Sequence, residues 1–157
     1  MKISFLLIGK TQIKYLQEGI ADYQKRLQHY HSFEIKVIPT LKKSKNLAIT
    51  AMKNKEGELI LQQFLPGDFV VLLDESGKSY TSMAFADFLQ SLFNRHIRQL
   101  YFVVGGAYGF SPEVYARADA RLSLSSMTFS HQMVRLIFVE QLYRAFTILK
   151  GEPYHHE

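Results

Sequence analysis

Cysteine is absent from this 157-residue sequence, and so is any run of 18 apolar residues. The first absence excludes disulfides, thiol nucleophiles and cysteine-based zinc sites. The second excludes a membrane-spanning helix, which needs about 20 consecutive apolar residues. The apolar start of the chain is too short for a secretory signal and lacks a small-residue cleavage site. We therefore expect a cytoplasmic protein with no membrane contact.

A metal site is not predicted either, although six histidines are present. His29 and His31 form the only close pair outside the C-terminal tail, and they have no nearby carboxylate in the sequence. Linkers, internal repeats and low-complexity segments are also missing. We therefore expect one domain over residues 1–157, with a single core.

The composition is that of a packed and moderately basic globule. Hydrophobic residues make up 47% of the chain, with 12 Phe and 9 Tyr. The net charge is +5, from 19 Lys and Arg against 14 Asp and Glu. Such an excess is compatible with a polyanion partner such as RNA, because bound cations release counterions from phosphates. Many basic cytosolic proteins bind no polyanion, so charge alone leaves this open.

Apolar periodicity predicts strands that alternate with helices, and hence an α/β domain with a mostly parallel sheet. The predicted strands are residues 3–8, 33–38, 69–73, 100–104 and 120–124, and a turn is predicted at 74–77. Helices are predicted at about 13–27, from 81 or 82 to 93 and at 131–149, and one more ends at 63; a short element is predicted at 112–117. In the last helix 12 of 19 residues are apolar and surround its axis. This pattern is typical of a helix that is either central in the core or buried half in the core and half in a subunit interface. We favour the second arrangement, and so a homodimer.

Ligands of open α/β sheets bind beyond the carboxyl ends of the strands. Three predicted strand ends carry suitable residues: Leu73 with Asp74, the glycine-rich segment 105–109, and the polar segment 123–131. Glycine allows close approach of a ligand to the backbone. The glycines match neither the dinucleotide nor the Walker pattern. Each segment is therefore either a pocket wall or a plain connecting turn, and no general motif names the ligand.

Five stretches, together spread over the whole chain, resemble the ribosomal RNA large subunit methyltransferase H family of small SPOUT proteins: residues 1–10, 55–61, 103–109, 122–143 and 152–155. The resemblance implies an α/β-knot fold, with a mostly parallel sheet, a C-terminal trefoil knot and a homodimer. It implies S-adenosylmethionine (SAM) as cofactor. The implied reaction is methylation of N3 of a pseudouridine in a stem-loop of 23S ribosomal RNA, with naked RNA or the assembled ribosome as partner.

The family's cofactor contacts fall at the three strand ends chosen above, on Leu73, Gly105, Leu124, Ser125, Ser126, Met127, Thr128 and Phe129. His155 is the first candidate for a general base, because histidine titrates near neutral pH. Its alternative role is that of an ordinary tail residue. Tyr154 either stacks on the target base or docks the tail.

Arg135 is expected to contact an RNA phosphate or a partner subunit, since no acidic residue on its own helix is placed to pair with it. Glu140 and Arg144 are four residues apart and are expected to pair. His131 is either structural or catalytic. Candidate phosphate contacts are Lys42, Lys43, Lys45, Lys53, Lys55, Arg95 and Arg98.

The sequence departs from the family at two positions. Ser130 replaces a usual proline and is expected to cap the last helix. His156 replaces a usual Arg or Lys, which removes a fixed positive charge from the tail.

Two other classes of function remain compatible with composition and charge. One is a non-catalytic RNA- or ribosome-binding protein that keeps the fold. The other is a nucleotide-dependent oxidoreductase, which the missing dinucleotide pattern disfavours.

Overall fold

The computed structural model describes residues 1–41 and 48–156. Its strands are β1 (Lys2–Ile8), β2 (Phe33–Ile38), β3 (Phe69–Ser79), β4 (Gln99–Val104) and β5 (Ala120–Ser123). Its helices are α1 (Lys14–Gln28), α2 (Ile49–Leu61), α3 (Ser82–Phe93), α4 (Pro112–Arg117) and α5 (Met133–Leu149). The predicted alternation of strands and helices is confirmed. Lys42, Lys43 and Lys45 lie outside the described residues.

The five strands form one sheet in the order β2-β1-β4-β3-β5, and each neighbouring pair is parallel. Parallel strands covered on both faces are apolar almost throughout, as β1 and β4 are here. Side chains alternate between the two faces. Phe5 packs with the cluster that contains α1, α3 and α5, whereas Leu6 packs with the cluster that contains α2 and α4.

The predicted turn at residues 74–77 is wrong, because β3 continues as a strand to Ser79. The register against β5 shifts between Leu73 and Lys78, so that both residues pair with Leu122. Gly77 lies within this irregularity, and a Cβ there would lie 2.7 Å from the backbone of Arg121 and Leu122. The polar extension is thus tolerated as strand because a glycine lets the two backbones approach closely. It also places Asp74, Glu75 and Ser76 beyond the end of the buried sheet.

Helix α5 packs against both α1 and α3, and its central residues Phe138 and Leu142 are fully buried. Phe138 contacts the rings of Phe5 and Phe102 at centroid distances of 4.6 and 4.8 Å. Packing in the core therefore explains many of the apolar residues that lie all round this helix. The predicted homodimer stays a prediction. Among the described helices, none has the length and apolar character needed to cross a membrane.

Candidate active site

The carboxyl ends of β4, β3 and β5 lie side by side in the sheet. A cavity of about 710 Å³ opens beyond them. Seven of the eight residues predicted to contact a cofactor line this cavity, namely Leu73, Gly105, Leu124, Ser125, Met127, Thr128 and Phe129. The eighth, Ser126, is outside the lining. The pocket thus lies where a parallel sheet is expected to bind its ligand.

The extension of β3 provides an anionic wall of this cavity. Asp74 Oδ1 accepts hydrogen bonds from the Ser76 N–H at 2.8 Å and the Ser76 hydroxyl at 2.5 Å, and Oδ2 accepts one from the Tyr115 hydroxyl. Burial alone would raise the pKa of Asp74, but the hydrogen bonds from Ser76 and Tyr115 outweigh it and lower this pKa. Burial and the hydrogen bond to Asp74 raise the pKa of Tyr115 to about 12. Asp74 is therefore a fixed carboxylate at neutral pH.

The charge of the lining favours a cationic ligand. Glu75 Oε2 accepts a hydrogen bond of 3.0 Å from Thr128 Oγ1, which links two walls of the cavity. Burial, followed by the nearby charge of Arg135, lowers the pKa of His131, so this side chain is mostly neutral at pH 7. Within the described part of the chain, lysine and arginine are absent from the lining. A pyrophosphate would thus meet carboxylates here instead of cations.

The glycine-rich wall is a tight turn after β4. The Gly109 N–H donates to the Gly106 carbonyl at 3.2 Å, and Gly109 has φ +81°, a left-handed conformation that glycine adopts without strain. A Cβ on Gly105 would lie 3.1 Å from the Phe110 ring. On the outer side of this turn, the Gly106 N–H donates to Glu56 Oε1 at 3.1 Å. Backbone, more than side chain, forms this wall.

Hydrogen bonds between residues two or three apart in sequence shape the third wall, which connects β5 to α5. The Ser123 hydroxyl donates to the Ser125 carbonyl at 3.1 Å, and Ser125 Oγ accepts from the Met127 N–H at 2.9 Å. Ser130 Oγ accepts from the Met133 N–H at 3.1 Å, as predicted for a residue that caps the last helix. The segment therefore has a defined backbone with polar groups beside the cavity, and is more than a plain connection.

Comparison with known proteins agrees with this architecture. A family model described as a predicted SPOUT methyltransferase matches residues 1–155. The chain belongs to the SPOUT methyltransferase family. The α/β class with a mostly parallel sheet is thereby confirmed, and the trefoil knot stays a prediction.

Individual relatives cover the whole SPOUT domain. A protein of Christiangramia forsetii named ribosomal RNA large subunit methyltransferase H is 59% identical over 99% of each chain. A protein of the same name from Parabacteroides distasonis is 56% identical over 100% of each chain. The predicted resemblance to this family is confirmed. A solved structure of a probable methylase family protein from Haemophilus influenzae has a TM-score of 0.53 at 11% identity, covering 99% of this chain and 70% of that one, and it supports the fold alone.

The contacts of Arg135 are not the ones expected from the sequence. The side chain is fully buried, and its guanidinium donates to the carbonyls of Ile8 at 2.8 Å, Gly9 at 2.9 Å and His131 at 3.1 Å, and to Thr11 Oγ1 at 3.0 Å. These acceptors engage four of the five N–H donors of a guanidinium that burial has removed from solvent. In this conformation the guanidinium is engaged within its own chain, and the expected contact with an RNA phosphate or partner subunit stays a prediction. Arg135 ties the end of β1 to the start of α5.

The C-terminal tail lies apart from the cavity at the strand ends. Tyr154 donates to Glu140 Oε1 at 3.0 Å, and its ring lies 4.8 Å from that of Tyr143. His155 Nδ1 lies 3.2 Å from Arg144 Nη1. The predicted pair of Glu140 and Arg144 is confirmed, with a contact of 2.6 Å.

The separation along the axis of α5 between a pocket residue and the residue that contacts the tail shows how far the tail lies from the pocket. Arg144 follows the lining residue Val134 by ten residues, which corresponds to about 15 Å along α5. Neither Tyr154 nor His155 lines the cavity. The structure thus brings the predicted cofactor residues together, but places the predicted catalytic residues elsewhere.

Sequence reasoning missed Glu56, Glu75 and Tyr115. Glu56 and Tyr115 are distant in sequence from the parts of the site that they contact, so local periodicity gave no signal for them. Glu75 was assigned to a turn. For Glu56 a signal did exist, because it lies in segment 55–61, which was recognised as part of the resemblance without being given a role.

Proposed function

We propose that this protein transfers a methyl group from SAM to N3 of a pseudouridine in a stem-loop of 23S ribosomal RNA, as one domain and as a homodimer in the cytoplasm. The observation that carries the proposal is the cavity at the three strand ends, which collects seven of the eight predicted cofactor positions. It occurs in a chain whose relatives are named ribosomal RNA large subunit methyltransferase H.

SAM fits the residues that line the cavity. Asp74 and Glu75 are carboxylates, which suit a cofactor with a positively charged sulfur and an amino group. Gly105 lines the cavity without a side chain, so a ligand can approach its backbone closely. Leu73, Leu124 and Phe129 offer apolar surface for an adenine ring. When bound, SAM supplies an electrophilic methyl group, so the protein has mainly to orient the target nitrogen.

The target nitrogen carries a proton that must leave before N3 becomes a good nucleophile. In the proposal His155 accepts this proton as general base. Tyr154 stacks on the pseudouridine or positions it, as aromatic side chains do for unstacked RNA bases. Because the tail lies about 15 Å along α5 from its own pocket, we assign the tail of each protomer to the pocket of its partner. The net charge of +5 supports an RNA substrate.

Methyl transfer to defined substrates tests this function. Tritium-labelled SAM is incubated with 23S RNA, free large subunits and whole ribosomes from cells that lack the protein, and the labelled nucleoside is identified by mass spectrometry. We expect N3-methylpseudouridine at one site. Label on another nucleoside would refute the target. SAM binding by a folded dimer without any transfer would favour the non-catalytic RNA-binding alternative, and calorimetric binding of NAD in place of SAM would refute the cofactor.

A further inference from the structure

Glu56 on α2 contacts the glycine-rich turn from outside the cavity. Its Oε1 accepts the Gly106 N–H at 3.1 Å, and the residue is partly buried. Glu56 is absent from the cavity lining, whereas Gly106 lines it. Over residues 1–41 and 48–156, Glu56 takes part in no salt bridge. The contact of its carboxylate is thus with the backbone of the pocket wall and not with a cation.

Helix α2 is held close enough for this contact by the next residue, Gly57. A Cβ on Gly57 would lie 3.0 Å from Ser111 Cβ and 3.3 Å from Val114 Cγ2. Ser111 is the N-cap of α4 and accepts the Val114 N–H at 3.4 Å. Helix α4 follows the glycine-rich turn in the chain. Close packing of α2 on the start of α4 therefore fixes the distance between Glu56 and the turn.

Gly106 has room for the carboxylate only because it lacks a side chain. A Cβ on Gly106 would lie 2.6 Å from Glu56 Oε1 and 3.0 Å from Oε2. Real Cβ atoms do not approach other atoms so closely, so either residue would have to move. The hydrogen bond and the close packing are therefore one contact, and a larger residue at 106 displaces the carboxylate from the Gly106 N–H.

We propose that Glu56 is a positioning residue for the cofactor pocket, which fixes the turn at residues 105–109 in its binding conformation by accepting the Gly106 N–H. Glu56 acts through the backbone and does not touch the cofactor. The inference rests on the proposed function, because SAM is the ligand assigned to this wall. It gives a role to the α2 segment 55–61.

Substitution of Glu56 tests the proposal with SAM affinity as the readout. Without an acceptor for the Gly106 N–H, we expect Glu56→Ala to raise the Kd for SAM about tenfold, the effect of losing one hydrogen bond to a charged group. The KM for SAM rises in parallel, whereas kcat stays within about twofold, since saturating SAM restores the bound conformation. Glu56→Gln keeps an acceptor oxygen and stays within about twofold of wild type. Glu58→Ala, an exposed position on the same helix, is the matched control. A wild-type Kd for Glu56→Ala overturns the proposal.

A double-mutant cycle with Gly106→Ala gives a second test. Gly106→Ala displaces the carboxylate and is expected to weaken SAM binding about as much as Glu56→Ala does. In the Glu56→Ala background the added Cβ has space, so Gly106→Ala adds less than about twofold. Fully additive effects would overturn the proposal.

The contact itself is measured by amide hydrogen exchange at Gly106, which needs no ligand. Protection in the wild type and faster exchange in Glu56→Ala, with an unchanged melting temperature, are expected. Equal exchange in the two proteins refutes the role of Glu56. Failure of the wild type to bind SAM, with normal protection at Gly106, refutes the proposed function and leaves the contact intact.

Discussion

The pocket at the strand ends and the C-terminal tail are built in different ways. The pocket is formed by the polar extension of β3 and by the segments that follow β4 and β5, and its walls are linked by contacts such as Glu75 with Thr128. The tail offers side chains instead, with Tyr154 and His155 held against Glu140 and Arg144. In the proposed function the first region holds the cofactor and the second acts on the target base.

Within a single chain, the pocket and the C-terminal tail are too far apart to act together. Residues at the pocket end of α5, such as Val134, are about 15 Å along the helix from Arg144, which contacts the tail. The proposed homodimer, in which one protomer's pocket works with its partner's tail, would account for the separation. Substitutions in the two regions should therefore affect different steps.

Removal of the proposed base should give the largest effect. We expect His155→Ala to slow methyl transfer roughly 1000-fold, the scale of general base catalysis. The Kd for SAM should stay within about twofold, because His155 lies outside the cavity. Single-turnover rates and calorimetry measure the two quantities, with the exposed His29→Ala as control. Lost SAM binding with retained turnover would reverse the assignment.

A bulky residue in the glycine-rich wall should have the opposite signature. Gly105→Val adds atoms where even a Cβ lies 3.1 Å from the Phe110 ring. We expect SAM affinity to fall about 100-fold through overpacking of the wall, while the dimer persists by light scattering. Thr50→Val, at an exposed position outside the lining, serves as control. Unchanged SAM affinity in Gly105→Val would show that the cofactor does not use this wall.

Substitution of Arg135, which ties the end of β1 to the start of α5, should mainly lower the stability of the protein. Arg135→Met leaves the carbonyls of Ile8 and Gly9 without their donor. We expect the free energy of unfolding to fall by about 3 kcal/mol, as for other buried charged networks that lose one partner. Chemical denaturation measures it, with the exposed Arg98→Met as control. A stable Arg135→Met variant that cannot bind RNA would restore the original prediction for this residue.

The smallest effect is expected from the tail hydroxyl. Tyr154→Phe loses the hydrogen bonds to Glu140 and Tyr23, at 3.0 and 3.2 Å, but keeps the ring that packs on Tyr143. The predicted loss of unfolding free energy is about 1 kcal/mol, with turnover within a few-fold of wild type. Denaturation and single-turnover assays test this. A turnover defect as large as that of His155→Ala would move the chemistry to the phenol.

The elements of the fold were largely predictable because their apolar patterns are local. The buried strands and the amphipathic helices each carry their period within a short window, as β4 and α3 do. The strand ends then located the pocket, since parallel strands present their carboxyl ends to one edge of the sheet. The three strand ends that form the pocket could thus be located from the sequence.

Features that depend on distant partners were not predictable from local patterns. Residues 74–77 were predicted as a turn, and they form strand because Gly77 permits close pairing with β5. Arg135 was predicted to contact an RNA phosphate or a partner subunit, yet it donates to the carbonyls of Ile8 and Gly9, more than 120 residues away in the chain. Glu56 likewise meets Gly106 only after α2 packs on α4.

Complementation between two inactive variants tests the central claim most directly, namely that the pocket of one protomer works with the tail of the other. Gly105→Val and His155→Ala protomers are co-expressed with different tags, and the heterodimer is isolated. One site then combines an intact pocket with an intact tail, so about half of the wild-type turnover per dimer is expected for a two-fold symmetric dimer. Turnover that stays at the level of the two homodimers would contradict the account, because it would mean that each tail serves its own pocket.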